Sequence, residues 1–258
     1  MSQYQSNPKV INLMYVFDNW EKEISFIVYE GMADYLFDLS DFIIYSNGND
    51  PQRKDFKLRK INEENQRVLL MPLVIKIQNL ADNKKDQARI AISLVQNIPF
   101  GFSDEQVTIG ENSINYSRYP YEVLYEQEGI CASKSELLVF LLREIGYETV
   151  FFYHKLENHD SVGIRCPERH GLLNTSYCFI ETTGPSIITD NENVYLEGVK
   201  LTSYPEIINS SEGNSLRYMY EYGDSKALKR IRRGIEETGK TNLFRRARLN
   251  KIIEKYRL

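Results

Sequence analysis

Apolar residues recur at helical spacing over 131-CASKSELLVFLLREI-145, where Leu137, Leu138, Leu141, Leu142 and Ile145 fall on one face. The spacing predicts a helix that opens at Cys131 and is stopped by Gly146. A second helix is expected over 86–100, with Ile90, Leu94, Val95 and Ile98 on one face and Pro99 ending it. Residues 60–80 carry Val68, Leu69, Leu73, Ile77 and Leu80 mostly at the same spacing, with Pro72 marking a kink or a helix start. Near the N-terminus, short apolar-aromatic runs such as 24-ISFIVY-29 read as strands, followed by a helical piece over 31–39. Gly, Pro, Asn and charge mark 46–55 as a loop, and 101–120 reads as loop as well. Three strand-like runs then follow, 147–154, 159–166 and 176–183, with a loop over 167–175 between the last two. Residues 184–224 are mixed, and the tail from Ser225 reads as two helical pieces broken near Gly239. A helix followed by antiparallel strands implies an α+β fold with a sheet packed against the Cys131 helix. The expected division is an N-terminal strand and helix portion over 1–85, a core over 86–210 and a basic helical tail over 211–258.

Charge sharpens this division. Residues 225–258 hold twelve Lys and Arg against three Glu, a net +9, so residues 1–224 carry −13 within a total of −4. One reading docks the tail as an amphipathic helix on the acidic body. The other makes it a contact for nucleic acid or another polyanion, although Phe244 and Tyr256 are its only aromatics. The opening MSQYQSNPKV has no basic stretch followed by an apolar one, so no secretory signal is expected, and no apolar run approaches a membrane span, so no membrane partner is expected. The three cysteines, Cys131, Cys166 and Cys178, form no CxxC pair, which argues against a zinc ribbon and for a reducing, cytoplasmic compartment. Cys166 and Cys178 flank the 167–175 loop, and a disulfide between them is conceivable but disfavoured in such a compartment. No cofactor or metal is expected: His154, His159 and Cys166 lack zinc-ligand spacing, and no DxDxDG calcium loop is present.

The candidate chemistry begins at Cys131. A cysteine at a helix N-terminus faces unpaired N–H groups and the positive end of the helix dipole, which favour the nucleophilic thiolate. Taken alone, such a residue is more often a small buried hydrophobe. Nucleophilic chemistry also needs a histidine and a group to orient it. His159 opens one strand, and Glu181 lies in the next. If the two pair antiparallel, the end of one meets the start of the other. Side-chain alternation puts His159, Ser161 and Gly163 on one face and Asp160, Val162 and Ile164 on the other. Singly, His159 reads as a structural histidine and Glu181 as a solvent-facing strand end before the Thr-Thr-Gly-Pro turn. His154 reads as a strand-end residue and His170 as a loop residue.

The motifs GICASKSELLVFLLREIGYETV, NHDSVGI and YCFIETTGP, in that order, resemble the transglutaminase-like superfamily of papain-type cysteine enzymes. The resemblance runs over about residues 88–190, with LVQNIPF and RYPYEVLYEQEG upstream, and is absent from the tail. It implies Cys131 as nucleophile, His159 as general base and acid, and Glu181 as orienting carboxylate. The reaction implied is acyl transfer or hydrolysis at a protein or peptide amide. The orienting residue is more often Asp in that superfamily, and the acids that usually flank the cysteine are here Ile130 and Ser133. The sequence does not assign the oxyanion hole: the backbone N–H of Cys131 is one expected donor, and of the side-chain candidates Gln96 and Gln127 neither is favoured. A catalytically silent scaffold of the same fold, binding through its tail, is the alternative that the sequence leaves open.

Overall fold

Alternation in the first thirty residues produces a hairpin of β1 (Pro8–Phe17) and β2 (Trp20–Tyr29). Ile11, Leu13 and Tyr15 are buried on one strand, and Ile24, Phe26 and Val28 on the other. The two-residue turn places Asp18 and Asn19 at φ 52° and 66°, left-handed values that match the twist of a tight hairpin. In this computed structural model the described residues are 4–40, 52–109, 112–192 and 200–258.

Four helices follow: α1 (Glu30–Ser40), α2 (Arg53–Ile61), α3 (Glu64–Asn79) and α4 (Lys84–Asn97). Pro72 lies inside α3 rather than at its start; the carbonyl that it leaves unpaired belongs to Val68, on the exposed side of the helix. The loop expected over 46–55 falls outside the described residues up to position 51, and residues 53–55 belong to α2. The loop expected over 101–120 contains the short hairpin β3 (Gln106–Ile109) and β4 (Asn112–Asn115), and its last residue begins α5 (Pro120–Glu126).

Helix α6 (Cys131–Ile145) starts and stops where the pattern places it, with Gly146 as its left-handed cap at φ 104°. The sheet consists of β5 (Thr149–His154), β6 (His159–Arg165), β7 (Tyr177–Ile180) and β8 (Glu206–Ser211) in the order β7-β6-β5-β8, all antiparallel. Val162, Ile164, Cys178 and Ile180 join α3, α4, α6 and the N-terminal hairpin in one apolar cluster. Val150, Phe152 and Phe179 on the other face form a second, smaller cluster with Leu172. The fold is α+β, with a helix laid on an antiparallel sheet.

The basic tail forms α7 (Glu221–Thr238) and α8 (Leu243–Tyr256), separated at Gly239. Ala227 and Leu228 of α7 pack with Ile187 and with Ile252 of α8. Arg232 pairs with Asp190 at 2.7 Å, and Arg233 with Glu192. Among the described residues, no helix is long and apolar enough to cross a membrane.

One expectation is corrected. Cys166 and Cys178 are joined by a disulfide, their Cα atoms 5.7 Å apart. Arg165 lies opposite Tyr177, and the Cys166 N–H donates to Ser176 O at 2.9 Å, so the β6–β7 ladder itself brings the two cysteines together. Such bonds persist mainly in oxidising compartments, and the cysteine count no longer argues for a reducing one.

Candidate active site

Gly129 prepares the position of Cys131. A Cβ there would sit 2.8 Å from Ser133 Oγ and 3.2 Å from both Lys134 Cγ and Val123 Cγ2. The Gly129 N–H donates to Pro99 O at 3.2 Å, and Gly129 O accepts from the Gly101 N–H at 3.3 Å. A larger residue two positions ahead of the cysteine would have to displace Ser133 Oγ and crowd Lys134 and Val123. Ile130 is the N-cap and Cys131 the first helical residue, so the Cys131 N–H has no acceptor within the helix. Ser133 is fully buried and donates to Ile130 O at 3.3 Å. Cys131 itself is half-buried and is not part of a disulfide.

The antiparallel pairing of β6 and β7 delivers the other two residues. Val162 lies opposite Ile180, so the start of β6 and the segment just beyond β7 run side by side. His159 Nε2 lies 2.9 Å from Glu181 Oε2, and Cys131 is near enough to the imidazole to raise its basicity. Glu181 is no solvent-facing strand end; it is 2% exposed. Its Oε1 accepts from the Thr182 N–H at 2.9 Å, the Thr183 N–H at 2.9 Å and the Thr183 hydroxyl at 2.8 Å. Three donors on one oxygen leave the other aimed at the histidine.

Alternation fixes the neighbours. Asp160, adjacent to His159, turns the opposite way to meet Lys57 Nζ at 3.0 Å and Arg53 at 3.3 Å. Thr182, adjacent to Glu181, meets Ser135 Oγ of α6 at 3.2 Å, and its hydroxyl lies 3.5 Å from Cys131 O. Both strands are thus anchored beside the residues that they present.

Burial alone would favour the neutral imidazole. The hydrogen bonds and electrostatic pull of Cys131 and Glu181 outweigh it and raise His159 to about 10. Burial would likewise raise the Glu181 carboxyl, but the bond and charge of His159 and the donors from Thr183 hold it below the usual range. The two shifts agree: the pair is held as imidazolium and carboxylate.

Gln96 is excluded as an oxyanion donor. Its amide nitrogen donates to Glu181 O at 2.9 Å and Ser186 O at 3.1 Å, tying α4 to the segment after β7. Gln127 caps α5 in the left-handed region, four residues ahead of Cys131, and its side chain has no hydrogen bond among the described residues. His154 is buried, with Nδ1 3.0 Å from Ser203 O, and burial lowers its basicity. His170 stacks on Tyr222 at 4.2 Å. Among the described residues, no group of three His, Cys, Asp or Glu side chains could hold a metal ion.

Lys134 was not anticipated. One turn beyond Cys131, on the same face as Leu137 and Leu138, it is fully buried. Its ammonium donates to Ile98 O and to Thr183 O, the latter at 3.3 Å, and so ties the Glu181 segment to the turn after α4. A lysine inside the apolar stripe of a helix was the signal available. Burial, partly offset by Glu181, lowers it to about 8. Between about 8 and its unfolded value of 10.5 the unfolded chain binds more protons at this site, so folding gains stability as pH rises through that window. Lys134→Met leaves two carbonyls without a donor and is expected to cost about 1–3 kcal/mol near neutral pH. In urea unfolding, the wild-type advantage over this variant should widen between pH 8 and 10.

No family model matches the chain, and no curated protein matches it. Among solved structures, calcium-bound LapG of Legionella pneumophila is similar at 16% identity, with 61% of this chain and 98% of that chain covered and a TM-score of 0.24, too low to bear on fold or activity.

Proposed function

We propose that the protein is a cysteine-dependent enzyme of transglutaminase-like, papain-type architecture that cleaves or transfers the acyl group of a protein or peptide amide. The observation that carries this reading is the position of His159, between the Glu181 carboxylate at 2.9 Å and the side chain of a half-buried Cys131 at a helix N-terminus. Cys131 attacks the carbonyl carbon as a thiolate, helped by the N-terminal end of α6 and by the imidazolium. A tetrahedral oxyanion forms, and the backbone N–H of Cys131 is its first donor. His159 then gives its proton to the leaving amine, and the C–N bond breaks to leave a thioester. Water, or an acceptor amine, gives up a proton to His159 and attacks the thioester, restoring the thiolate and imidazolium. Hydrolysis is the favoured outcome. Glu181 keeps the Nε2 proton of the imidazole in place throughout.

A silent scaffold needs a Cys131 sealed in the core or a His159 turned away. The pull of Cys131 on the basicity of His159 and the partial exposure of the cysteine both weigh against it. The test is the pH dependence of Cys131 alkylation by a small electrophile, followed residue by residue by mass spectrometry, in wild type and His159→Ala. Slow labelling with the profile of an ordinary thiol, unchanged in the variant, would overturn the enzyme reading.

A further inference from the structure

The tail divides into two helices of different character. Helix α7 turns three of its five basic residues to the body: Lys229 donates to Thr189 O at 2.9 Å, and Arg232 and Arg233 pair with Asp190 and Glu192, while Lys226 and Arg230 are exposed. Helix α8 docks through Ile252, with Leu249 and Tyr256 partly buried beside it, and is held near its C-terminal end by Lys255 to Asp224 at 2.8 Å and Arg257 to Glu21 at 3.4 Å. Its remaining basic residues, Arg245, Arg246, Arg248 and Lys251, are all exposed, as is Lys240 just ahead of it. Among the described residues, none of these five has a carboxylate within ion-pairing distance. The acid of the helix, Glu254, lies beyond them towards its C-terminus.

Large apolar side chains stand at both ends of this basic surface. Leu243 and Phe244, the first two residues of α8, are 83% and 89% exposed. Phe244, Arg248 and Lys251 share a face at positions i, i+4 and i+7. At the other end, Arg257 reaches Glu21, next to Trp20 at the tip of the N-terminal hairpin, which is 72% exposed. Asp18 and Asn19 of that turn line one small cavity with Lys255 and Tyr256 of α8. A helix of 14 residues is about 21 Å long, so aromatic anchors bracket a basic stretch of that length.

We infer that α8 and the Trp20 hairpin tip form a docking surface for an anionic lipid bilayer. The arginines and lysines meet headgroup phosphates, while Leu243, Phe244 and Trp20 enter the boundary between headgroups and acyl chains. Nucleic acid would satisfy the charge, but it offers no apolar phase to Leu243 and few stacking platforms besides Phe244. A second copy placed symmetrically, α8 against α8, would bring the same uncompensated charges against each other. Docking of this kind needs no membrane-spanning segment.

Sedimentation with vesicles of phosphatidylglycerol and phosphatidylcholine, against phosphatidylcholine alone, tests the surface. The wild-type chain is expected to sediment with the anionic vesicles only and to be released by high salt. Trp20, the single tryptophan of the chain, should shift its emission to the blue on binding. The charge reversal Arg246→Glu/Arg248→Glu/Lys251→Glu should weaken partitioning by more than about a hundredfold, and Leu243→Ser/Phe244→Ser by about tenfold. Both variants alter exposed side chains, and circular dichroism checks that they fold; salt dependence and Trp20 emission test the wild type without any variant. Absence of binding to anionic vesicles, equal binding to neutral ones, or sedimentation that leaves Trp20 emission unchanged would overturn the inference. So would salt-sensitive binding of a short DNA duplex by a chain that ignores the vesicles.

Discussion

Replacing His159 with alanine is expected to slow alkylation of Cys131 at pH 6 by about a hundredfold, because an unassisted thiol is less than about 1% thiolate at that pH. The sign follows from the site. His159 is raised to about 10, so it remains an imidazolium across the acidic and neutral range and stabilises a negative sulfur beside it. On the proposed mechanism, labelling of the wild type persists well below neutral pH. In the variant it should rise only as the pH approaches the range of a free thiol. His159→Gln is a useful companion, since it fills the space between Cys131 and Glu181 without supplying charge. If both variants behave alike, the effect belongs to the proton and not to a collapsed pocket. Residue-resolved mass spectrometry also reports whether any site other than Cys131 is labelled.

Glu181→Ala is expected to destabilise the fold by about 3–5 kcal/mol, the cost of leaving a buried charge without its partner. The loss is large because one side chain serves four donors: the Thr182 and Thr183 N–H groups, the Thr183 hydroxyl and His159. The Glu181 carboxyl is held below its ordinary value of 4.5. A depressed carboxyl contributes stability that is present above its unfolded value and lost as pH falls through the folded one. The wild-type advantage should therefore hold at neutral pH and fade below about pH 4 in urea unfolding. Glu181→Gln separates structure from chemistry. Its amide oxygen can still accept from the threonines, while its NH2 group faces Nε2 and forces the imidazole proton onto Nδ1, the nitrogen left for Cys131 in the proposed mechanism. That tautomer cannot take a proton from Cys131. The variant should fold, and any amide turnover of the wild type should fall by about 10³–10⁴.

The parts of the fold that rest on local periodicity could be read from the sequence. Helix α6 runs from Cys131 to Ile145 because its apolar stripe and Gly146 leave no other register, and β6 begins at His159 as the alternation implies. Long-range pairing was harder to read. Strand β8 lies in a stretch of mixed pattern, and its place beside β5 depends on a crossover that no short window contains. The short β3–β4 hairpin and the seven-residue helix α5 are too brief to show a period in the sequence. At the site, antiparallel strands were enough to bring His159 to Glu181. The three Thr donors on Glu181, the diversion of Gln96 to backbone carbonyls and the burial of Lys134 depend on how the segment after β7 folds back onto α4 and α6. The disulfide is not legible from a cysteine count, because the ladder between β6 and β7 sets the distance between Cys166 and Cys178.

That disulfide makes the protein easier to handle. With Cys166 and Cys178 joined, Cys131 is the one free thiol of the chain's three cysteines. In non-reducing buffer, any thiol reagent becomes a site-directed one. A thiol-reactive resin would orient every molecule identically by its candidate nucleophile. A nitroxide or fluorine tag would report on that position alone, with no need to remove other cysteines first. Mild oxidative coupling to a cysteine-bearing peptide library would enrich those sequences that lodge near α6, without requiring turnover.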